Sequence, residues 1–172
     1  MNYLIPFSSK SIDYTEEEIS VINDTIRNSK ILTMGNQILN FESKFEKFLG
    51  RQFAFALNSA TSCLELSAQL CRFKPGDEVI IPSHTYTSSC YPFLKNKAKI
   101  VWADIDLETR VVSDDSILSN ISNKTRAVVV PHLYGYFKDL TILKKELQNK
   151  DIILIEDVAQ AIGTKIEDKM SG

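Results

Sequence analysis

The sequence predicts an open α/β fold, with a largely parallel sheet covered by helices on both faces. Two observations support this fold class. Short apolar runs alternate with helix-like segments along most of the chain, and several runs are continuous stretches of valine and isoleucine. Continuous apolar strands are typical of parallel sheets, because helices bury both faces of such a sheet.

Five short stretches are strand candidates, and helix-like segments separate most of them. The candidates are "FAFAL", "EVIIP", "KIVWAD", "RAVVVP" and "DIILIE". The helix-like segments among them cover residues 61–71, 87–96, 114–121 and 139–148. We therefore expect strands joined by helical crossovers within one continuous domain.

Two further helices are expected before the first strand. One begins at Thr15, because "TEEE" places Glu18 three residues on, in the arrangement of a capping box. The other spans about Ile38 to Leu49, with apolar residues at intervals of three and four, and Gly50 ends it.

Composition excludes several functional classes. Lys and Arg number 20 against 22 Asp and Glu, which leaves no basic footprint for nucleic acid or a membrane surface. No apolar run approaches the roughly 20 residues of a membrane-spanning helix, and the opening "MNYLIPFSSK" does not resemble a signal peptide. The three cysteines lack metal-type spacing, so we expect reduced, mostly buried thiols in a cytoplasmic protein.

Ligands of open α/β sheets bind beyond the carboxyl ends of the strands, so the residues that follow each strand are informative. Four strand candidates are followed by "NSATS", "PSHTYT", "PHLYG" and "EDVAQ". These segments bring hydroxyl groups at a helix start, an aromatic ring, histidines, and an acid with a nearby amide to one edge. Their convergence predicts a binding site there.

The segment "NSATSCLEL" suits an anion. Ser59, Thr61 and Ser62 lie where a strand gives way to a helix, and free N–H groups at a helix start bind phosphate. Ordinary helix capping by the same hydroxyls is the alternative, and this segment alone leaves both open. Neither a Walker loop nor the glycine-rich dinucleotide fingerprint is present.

The aromatic and histidine residues at the strand ends each have a structural alternative. Tyr86 offers a face on which a flat heterocycle could stack, although a tyrosine here could equally be packing. His84 and His132 are possible acid–base groups, but lone histidines are more often hydrogen-bonded structural residues.

The run "IILIEDVAQA" ends in two acids directly after a buried strand. Either both acids lie in water, or one has a cationic partner, because an unpaired buried charge is costly. For Asp157 a protonated pyridine nitrogen would serve, and Gln160, three residues on, could reach the phenolic oxygen of that ring. A phosphate site, a stacking ring and a pyridinium partner together describe pyridoxal 5′-phosphate.

These motifs resemble the amino-terminal part of the DegT/DnrJ/StrS sugar aminotransferases, which share the type I aspartate aminotransferase fold. The resemblance covers essentially the whole chain, through "ILTMG", "FESKFEKFLG", "NSATSCLEL", "KPGDEVIIPSHTYTSS", "RAVVVPHLYG" and "IEDVAQAIG". It is most specific in the combination of "PGDEVIIPS", "HLYG" and "EDVAQA".

The resemblance implies roles for individual residues. Thr61 and Ser62 would bind the cofactor phosphate, largely through main-chain N–H groups, and Tyr86 would stack on the ring. Asp157 would pair with the ring nitrogen, and Gln160 would bond the ring hydroxyl.

Two neighbouring positions carry weaker implications. Ala60 departs from the glycine usual in the family, which bears on the backbone path before the phosphate. Gly35, within "ILTMG", would lie near the sugar substrate.

The implied reaction transfers an amino group from L-glutamate to a nucleotide-linked keto sugar, for surface polysaccharide or a related amino-sugar product. The enzyme would be a homodimer. A sugar dehydratase of the same family, or a non-catalytic module for nucleotide-sugar binding or dimerisation, is the alternative.

The resemblance also implies what the 172 residues lack. The Schiff-base lysine of the family lies beyond "EDVAQA", and Lys165 and Lys169 fall in what reads as a short hairpin. We therefore expect residues 1–172 to be a cofactor-binding large domain without a catalytic residue of its own, without the smaller carboxy-terminal domain, and inactive alone.

Overall fold

A four-stranded parallel sheet forms the centre of the protein. The computed structural model describes residues 13–167 and 169–172. The strands are β1 (Glu78–Pro82), β2 (Lys99–Ala103), β3 (Thr125–Pro131) and β4 (Ile153–Asp157). Their order is β2-β1-β3-β4, and every neighbouring pair is parallel. The predicted fold class is confirmed.

Six helices accompany the sheet in the described part of the chain. They are α1 (Glu16–Asn28), α2 (Asn36–Leu49), α3 (Ala60–Leu70), α4 (Tyr91–Lys95), α5 (Asp114–Ser119) and α6 (Thr141–Gln148). Helices α4, α5 and α6 form the crossovers between successive strands. None of the helices described is both long and apolar enough to cross a bilayer.

Side chains of β1 and β3 alternate between two hydrophobic cores. Ile80, Val128 and Val130 pack with residues of α5 and α6 on one face. On the opposite face, Val79, Ile81, Ala127 and Val129 pack with residues of α3 and α4. Because helices bury both faces of the sheet, the residues that point to either face must be apolar. This explains the continuous valine and isoleucine runs in these strands.

The local signals for the first two helices are confirmed. Thr15 caps α1, with its side chain accepting from the Glu18 N–H while the Glu18 carboxylate accepts from the Thr15 N–H at 2.7 Å. Gly50 ends α2 in the left-handed conformation, with φ +65°, which glycine adopts without steric cost.

The prediction of a strand at "FAFAL" is wrong. Residues 53–57 form no sheet ladder with any described strand. The backbone N–H of Ala54 donates to the Glu46 carboxylate of α2 at 3.2 Å, and that of Ala56 donates to Glu42 at 2.8 Å. Side chains of α2 therefore satisfy amides that a neighbouring strand would otherwise bind.

One other expectation needs a smaller correction. The helix expected over 87–96 is broken into a 3-10 turn at Thr87–Ser89 and the short helix α4, which has Pro92 in its first turn, where a missing N–H is tolerated. The chain after β4 continues as a turn.

The hairpin and the thiols complete the comparison with the sequence. The predicted hairpin is present as β5 (Lys165–Ile166) and β6 (Lys169–Met170), which pair antiparallel.

All three cysteines are free thiols, as expected, but none is fully buried, since Cys63 is exposed and Cys71 and Cys90 are half-buried. Burial still raises the pKa of Cys63 and of Cys71, which keeps both protonated.

We expect the Leu143→Ala variant to lose about 2–5 kcal/mol of unfolding free energy, because Leu143 is fully buried between α6 and the sheet. The matched control is Ile142→Ala on the same helix, where the side chain is 72% exposed and the loss is expected to stay within about 1 kcal/mol. Urea unfolding followed by circular dichroism measures both, and equal losses would contradict the placement of α6.

Candidate functional site

The candidate site is a cavity of about 260 Å³ at the carboxyl ends of β3 and β4. Its volume is slightly below the roughly 300–1,000 Å³ usual for small-molecule sites. Of the six residues to which the resemblance assigns a role, four line it, namely Thr61, Tyr86, Asp157 and Gln160. The other lining residues are Ala60, Leu64, Ser88, Pro131, His132, Leu133 and Ala159.

Two predicted residues, Ser62 and Gly35, do not line this cavity. Ser62 belongs to the first turn of α3 but points to Asn58, whose side-chain oxygen accepts from the Ser62 hydroxyl at 2.6 Å. Gly35 is the N-cap of α2 and lines a separate depression near the end of α1. The structure thus brings four of the six candidates together.

The two acids at the end of β4 lie on opposite faces of the sheet. Adjacent strand residues point to opposite sides, and the packing of β4 follows this rule: Leu154 packs with the α5–α6 core, and Ile155 packs with the α3–α4 core. By the same alternation Glu156 is on the side of α6, whereas Asp157 is on the side of α3.

Glu156 has a partner within the chain. Its Oε2 is 3.1 Å from Nε2 of His132, a residue whose side chain is fully buried. Burial raises the pKa of Glu156. The hydrogen bond from His132, the positive charge of that ring when it is protonated, the Gly172 N–H and the charge of Arg51 together lower it by more, so the pKa lies below its usual value. Glu156 is therefore a structural acid.

Asp157 is half-buried and has only neutral donors. Its Oδ2 accepts from the Ser89 hydroxyl at 2.8 Å, and its Oδ1 accepts from the Ala159 N–H at 3.2 Å. Of the ion pairs among residues 13–167 and 169–172, none involves Asp157. A partly desolvated carboxylate held by neutral donors at a cavity wall can still receive a cation.

The start of α3 forms a second wall of the cavity. Ser59 is the N-cap, and its hydroxyl accepts from the Ser62 N–H at 3.2 Å. No hydrogen bond to the described residues occupies the N–H groups of Ala60 and Thr61. The Thr61 hydroxyl lies 2.9 Å from that of Ser88. Two free amides and two hydroxyls at a helix start suit an anion.

Capping by Ser59 therefore does not exclude anion binding at this helix start. Ser59 supplies the cap, so the two amides that stay open belong to Ala60 and Thr61 rather than to Thr61 and Ser62. Alanine at position 60 causes no strain, because Ala60 opens α3 as an ordinary helical residue and is not among the described residues with positive φ.

Tyr86 and Gln160 complete the lining. The Tyr86 side chain is 67% exposed, and no aromatic ring in the described part of the chain stacks on it. The Gln160 side-chain oxygen accepts from the Tyr134 N–H at 2.8 Å. This bond uses the carbonyl of the amide, so its NH₂ group is the part that can donate to a ligand.

The two histidines differ in their surroundings. His84 does not line the cavity, and its Nδ1 lies 3.2 Å from the Arg110 carbonyl oxygen. His132 borders the cavity but uses its ring for contacts within the chain. Both contacts match the structural alternative noted from the sequence.

Sequence reasoning missed three residues of the site. Ser88 and Ser89 follow directly after "TYT", so their hydroxyl groups could have been recognised from the sequence as candidate donors at the site. Ser89 is the buried donor to Asp157. Ala60 contributes a free amide, which no side-chain pattern reveals.

Comparisons with known proteins identify the family of the chain. The model of the DegT/DnrJ/EryC1/StrS aminotransferase family matches residues 13–172. The chain belongs to this family, and the resemblance seen in the sequence is confirmed.

Characterised relatives and solved structures support the assignment. The chain is 33% identical over 169 residues to GDP-perosamine synthase of Vibrio cholerae, covering 98% of this chain and 46% of that protein. It superimposes on a putative sugar aminotransferase from Streptococcus pneumoniae in its PMP form with TM-score 0.89 and 31% identity, covering 98% of this chain and 45% of that one.

A dehydratase is also similar. The structure of Escherichia coli GDP-4-keto-6-deoxy-D-mannose-3-dehydratase with bound hydrated PLP matches with TM-score 0.87 and 26% identity, over 97% of this chain and 44% of that chain. The chain thus spans less than half the length of the relatives named here.

The depressed pKa of Glu156 predicts a specific acid sensitivity. Because the folded pKa is lower than the unfolded one, the stabilisation from ionised Glu156 is present above about pH 4.5, the ordinary value, and is lost as the pH falls through the folded pKa. We therefore expect wild type to exceed Glu156→Gln in unfolding free energy at about pH 4.5, and the difference to shrink as the pH falls further. Urea unfolding across this range measures it, and a difference that is constant or grows on acidification would contradict the pairing.

Proposed function

We propose that this chain binds pyridoxal 5′-phosphate in the cavity between α3 and the ends of β3 and β4. We further propose that the whole protein transfers an amino group from L-glutamate to a nucleotide-linked keto sugar in polysaccharide biosynthesis. One observation carries the proposal: Asp157 is half-buried at the cavity wall, without a cationic partner among the residues described, and shares this cavity with an exposed aromatic ring.

The lining residues fit the three chemical parts of this cofactor. The open N–H groups of Ala60 and Thr61, with the hydroxyls of Thr61 and Ser88, suit the phosphate. Tyr86 offers a face for the pyridine ring. Asp157 suits the ring nitrogen, and the NH₂ group of Gln160 suits the ring oxygen. Ser62 does not line the cavity but stabilises the start of α3, through its hydrogen bonds to Ser59 and Asn58.

Asp157 is the residue that tunes the chemistry. When bound, pyridoxal phosphate supplies a pyridine ring that accepts an electron pair from a neighbouring carbanion. A carboxylate beside the ring nitrogen favours its protonated form, because the opposite charge stabilises the cation. Ser89 and the Ala159 N–H hold this carboxylate in place. The chain's own contribution is therefore electrostatic and positional.

The described residues supply no covalent attachment in the cavity. Lys165 lies on β5 and is not among the lining residues. We therefore propose non-covalent binding of the cofactor by residues 1–172. Borohydride reduction after incubation with the cofactor, followed by peptide mass spectrometry, tests this, and a stable adduct at Lys165 or Lys169 would contradict it.

The amino-transfer reaction is supported by the similarity to GDP-perosamine synthase. A sugar dehydratase is the second candidate, because a dehydratase structure matches at TM-score 0.87. The two are separated by products of the full-length protein. With L-glutamate and a GDP-linked 4-keto sugar, an aminotransferase forms 2-oxoglutarate and an amino sugar in equal amounts, whereas a dehydratase forms a deoxy sugar without retaining nitrogen.

We also propose that the protein is a cytoplasmic homodimer, as the family resemblance implies, with L-glutamate and the nucleotide sugar as its small-molecule partners. Light scattering during gel filtration of the full-length protein tests the oligomeric state. A monomer at all concentrations would contradict it.

Replacing Asp157 should weaken cofactor binding. We expect Asp157→Ala to raise the Kd for pyridoxal phosphate at least about tenfold, since the loss of a partly buried charge pair costs more than about 1.4 kcal/mol. The matched control is Asp151→Asn, at the other end of β4, where the residue is exposed and asparagine tolerates the φ of +56°. Titration followed by cofactor absorbance measures both variants, and equal Kd values would contradict the site.

A further inference from the structure

His132 closes the loop that follows β3. Its Nδ1 accepts from the backbone N–H of Lys138 at 3.3 Å, six residues along the chain. Since Nδ1 is an acceptor, the ring proton is on Nε2, which donates to Glu156 at 3.1 Å. One neutral, buried imidazole thus joins β4 to the end of the loop 133–138, while Phe137 packs edge-on against it at 5.1 Å.

The same loop carries unusual backbone conformations. Tyr134 has φ +57° and Gly135 has φ +82°. A left-handed tyrosine is strained, and such strain persists only where surrounding contacts hold it. Two contacts are available here: the bond from the Tyr134 N–H to Gln160, and the closure of the loop by His132. The Lys138 side chain adds an ion pair to Asp114 at 3.2 Å.

These contacts form a continuous connection from Glu156 through His132 and the loop to Gln160. The hydrogen bond from the Tyr134 N–H to the Gln160 carbonyl oxygen determines which end of the Gln160 amide remains free for a ligand. With the carbonyl oxygen engaged, the NH₂ group is left to donate to a ligand oxygen. A free Gln160 could present either end to the cavity.

We propose that His132 is a positioning residue that orients Gln160 as a donor toward an oxygen of the bound ligand. The proposal rests on the proposed function for the identity of that ligand. A direct role of the imidazole in proton transfer is disfavoured, because both ring nitrogens are engaged within the chain and the side chain is fully buried. His132 therefore acts through the loop and not by touching the cofactor.

The tautomer can be measured in the wild-type protein without cofactor. Long-range ¹H–¹⁵N correlation spectra distinguish a protonated Nε2 from a protonated Nδ1 in a neutral imidazole. We expect the Nε2–H form at neutral pH. A protonated Nδ1 could not accept from the Lys138 N–H and would overturn the proposal.

Two substitutions separate the two bonds of the ring. His132→Gln places an amide NH₂ near the position of Nε2 and keeps the donor to Glu156, but loses the acceptor for the Lys138 N–H. His132→Asn places an oxygen near Nδ1 and keeps that acceptor, but loses the donor.

In His132→Gln we expect the amide hydrogens of Tyr134 and Lys138 to exchange about fivefold faster, the ratio for one hydrogen bond of typical strength, and His132→Asn to restore protection. Amides of β1 are the internal control for global destabilisation. Unchanged exchange at Tyr134, or equal acceleration throughout the sheet in both variants, would overturn the proposal.

A double-mutant cycle with Gln160→Ala tests the connection to the ligand. We expect His132→Gln to raise the Kd for pyridoxal phosphate about fivefold in the wild-type background and to have no further effect when Gln160 is already alanine. Additive effects would overturn the proposal while leaving cofactor binding intact. If wild type binds no cofactor, the proposed function fails instead, and the tautomer and exchange measurements still decide whether His132 holds the loop.

Discussion

The alternation of side chains at the end of β4 is the constraint on which the site depends. Two adjacent acids leave the strand on opposite faces, so each meets a different environment. Glu156 meets a buried histidine and is fully paired. Asp157 meets a hydroxyl and a backbone amide, and no cation from the described chain. A shift of one residue in register would exchange these environments and remove the site.

The parallel sheet brings the other components to the same edge. All four strands run in one direction, so the segments after β1, β3 and β4 emerge together, and α3 begins beside them. Ser89, after β1, reaches Asp157 at the end of β4 across 68 residues of sequence. His132, after β3, holds the same residue through its backbone, since its N–H donates to the Asp157 carbonyl at 2.9 Å. Residues from separate elements of the fold thus hold Asp157 in place.

The two sides of the sheet have different roles at the site. The His132–Glu156 pair fixes the side of the sheet that faces α6, and it holds the strained loop that contacts Gln160. The opposite side has a carboxylate that no cation of the described residues contacts, two open amides and an exposed aromatic ring around one cavity. The groups around this cavity keep open donors, a ring face or a carboxylate that can bind a ligand, and hydrogen bonds from neighbouring residues hold Asp157 and Gln160 in place.

The sequence by itself determined the fold class, the start of the first helix, the end of the second helix and four of the cavity residues. It could do so because these depend on local patterns: continuous apolar strands, a capping box, a terminating glycine, and polar residues directly after strands. The tertiary structure alone decided that Glu156 is paired by His132, that Ser89 supports Asp157, and that carboxylates of α2 bind the amides of residues 53–57. These hydrogen bonds join residues that are separated in the sequence. The spacing of apolar residues and the helix or strand propensity of each segment do not predict such contacts.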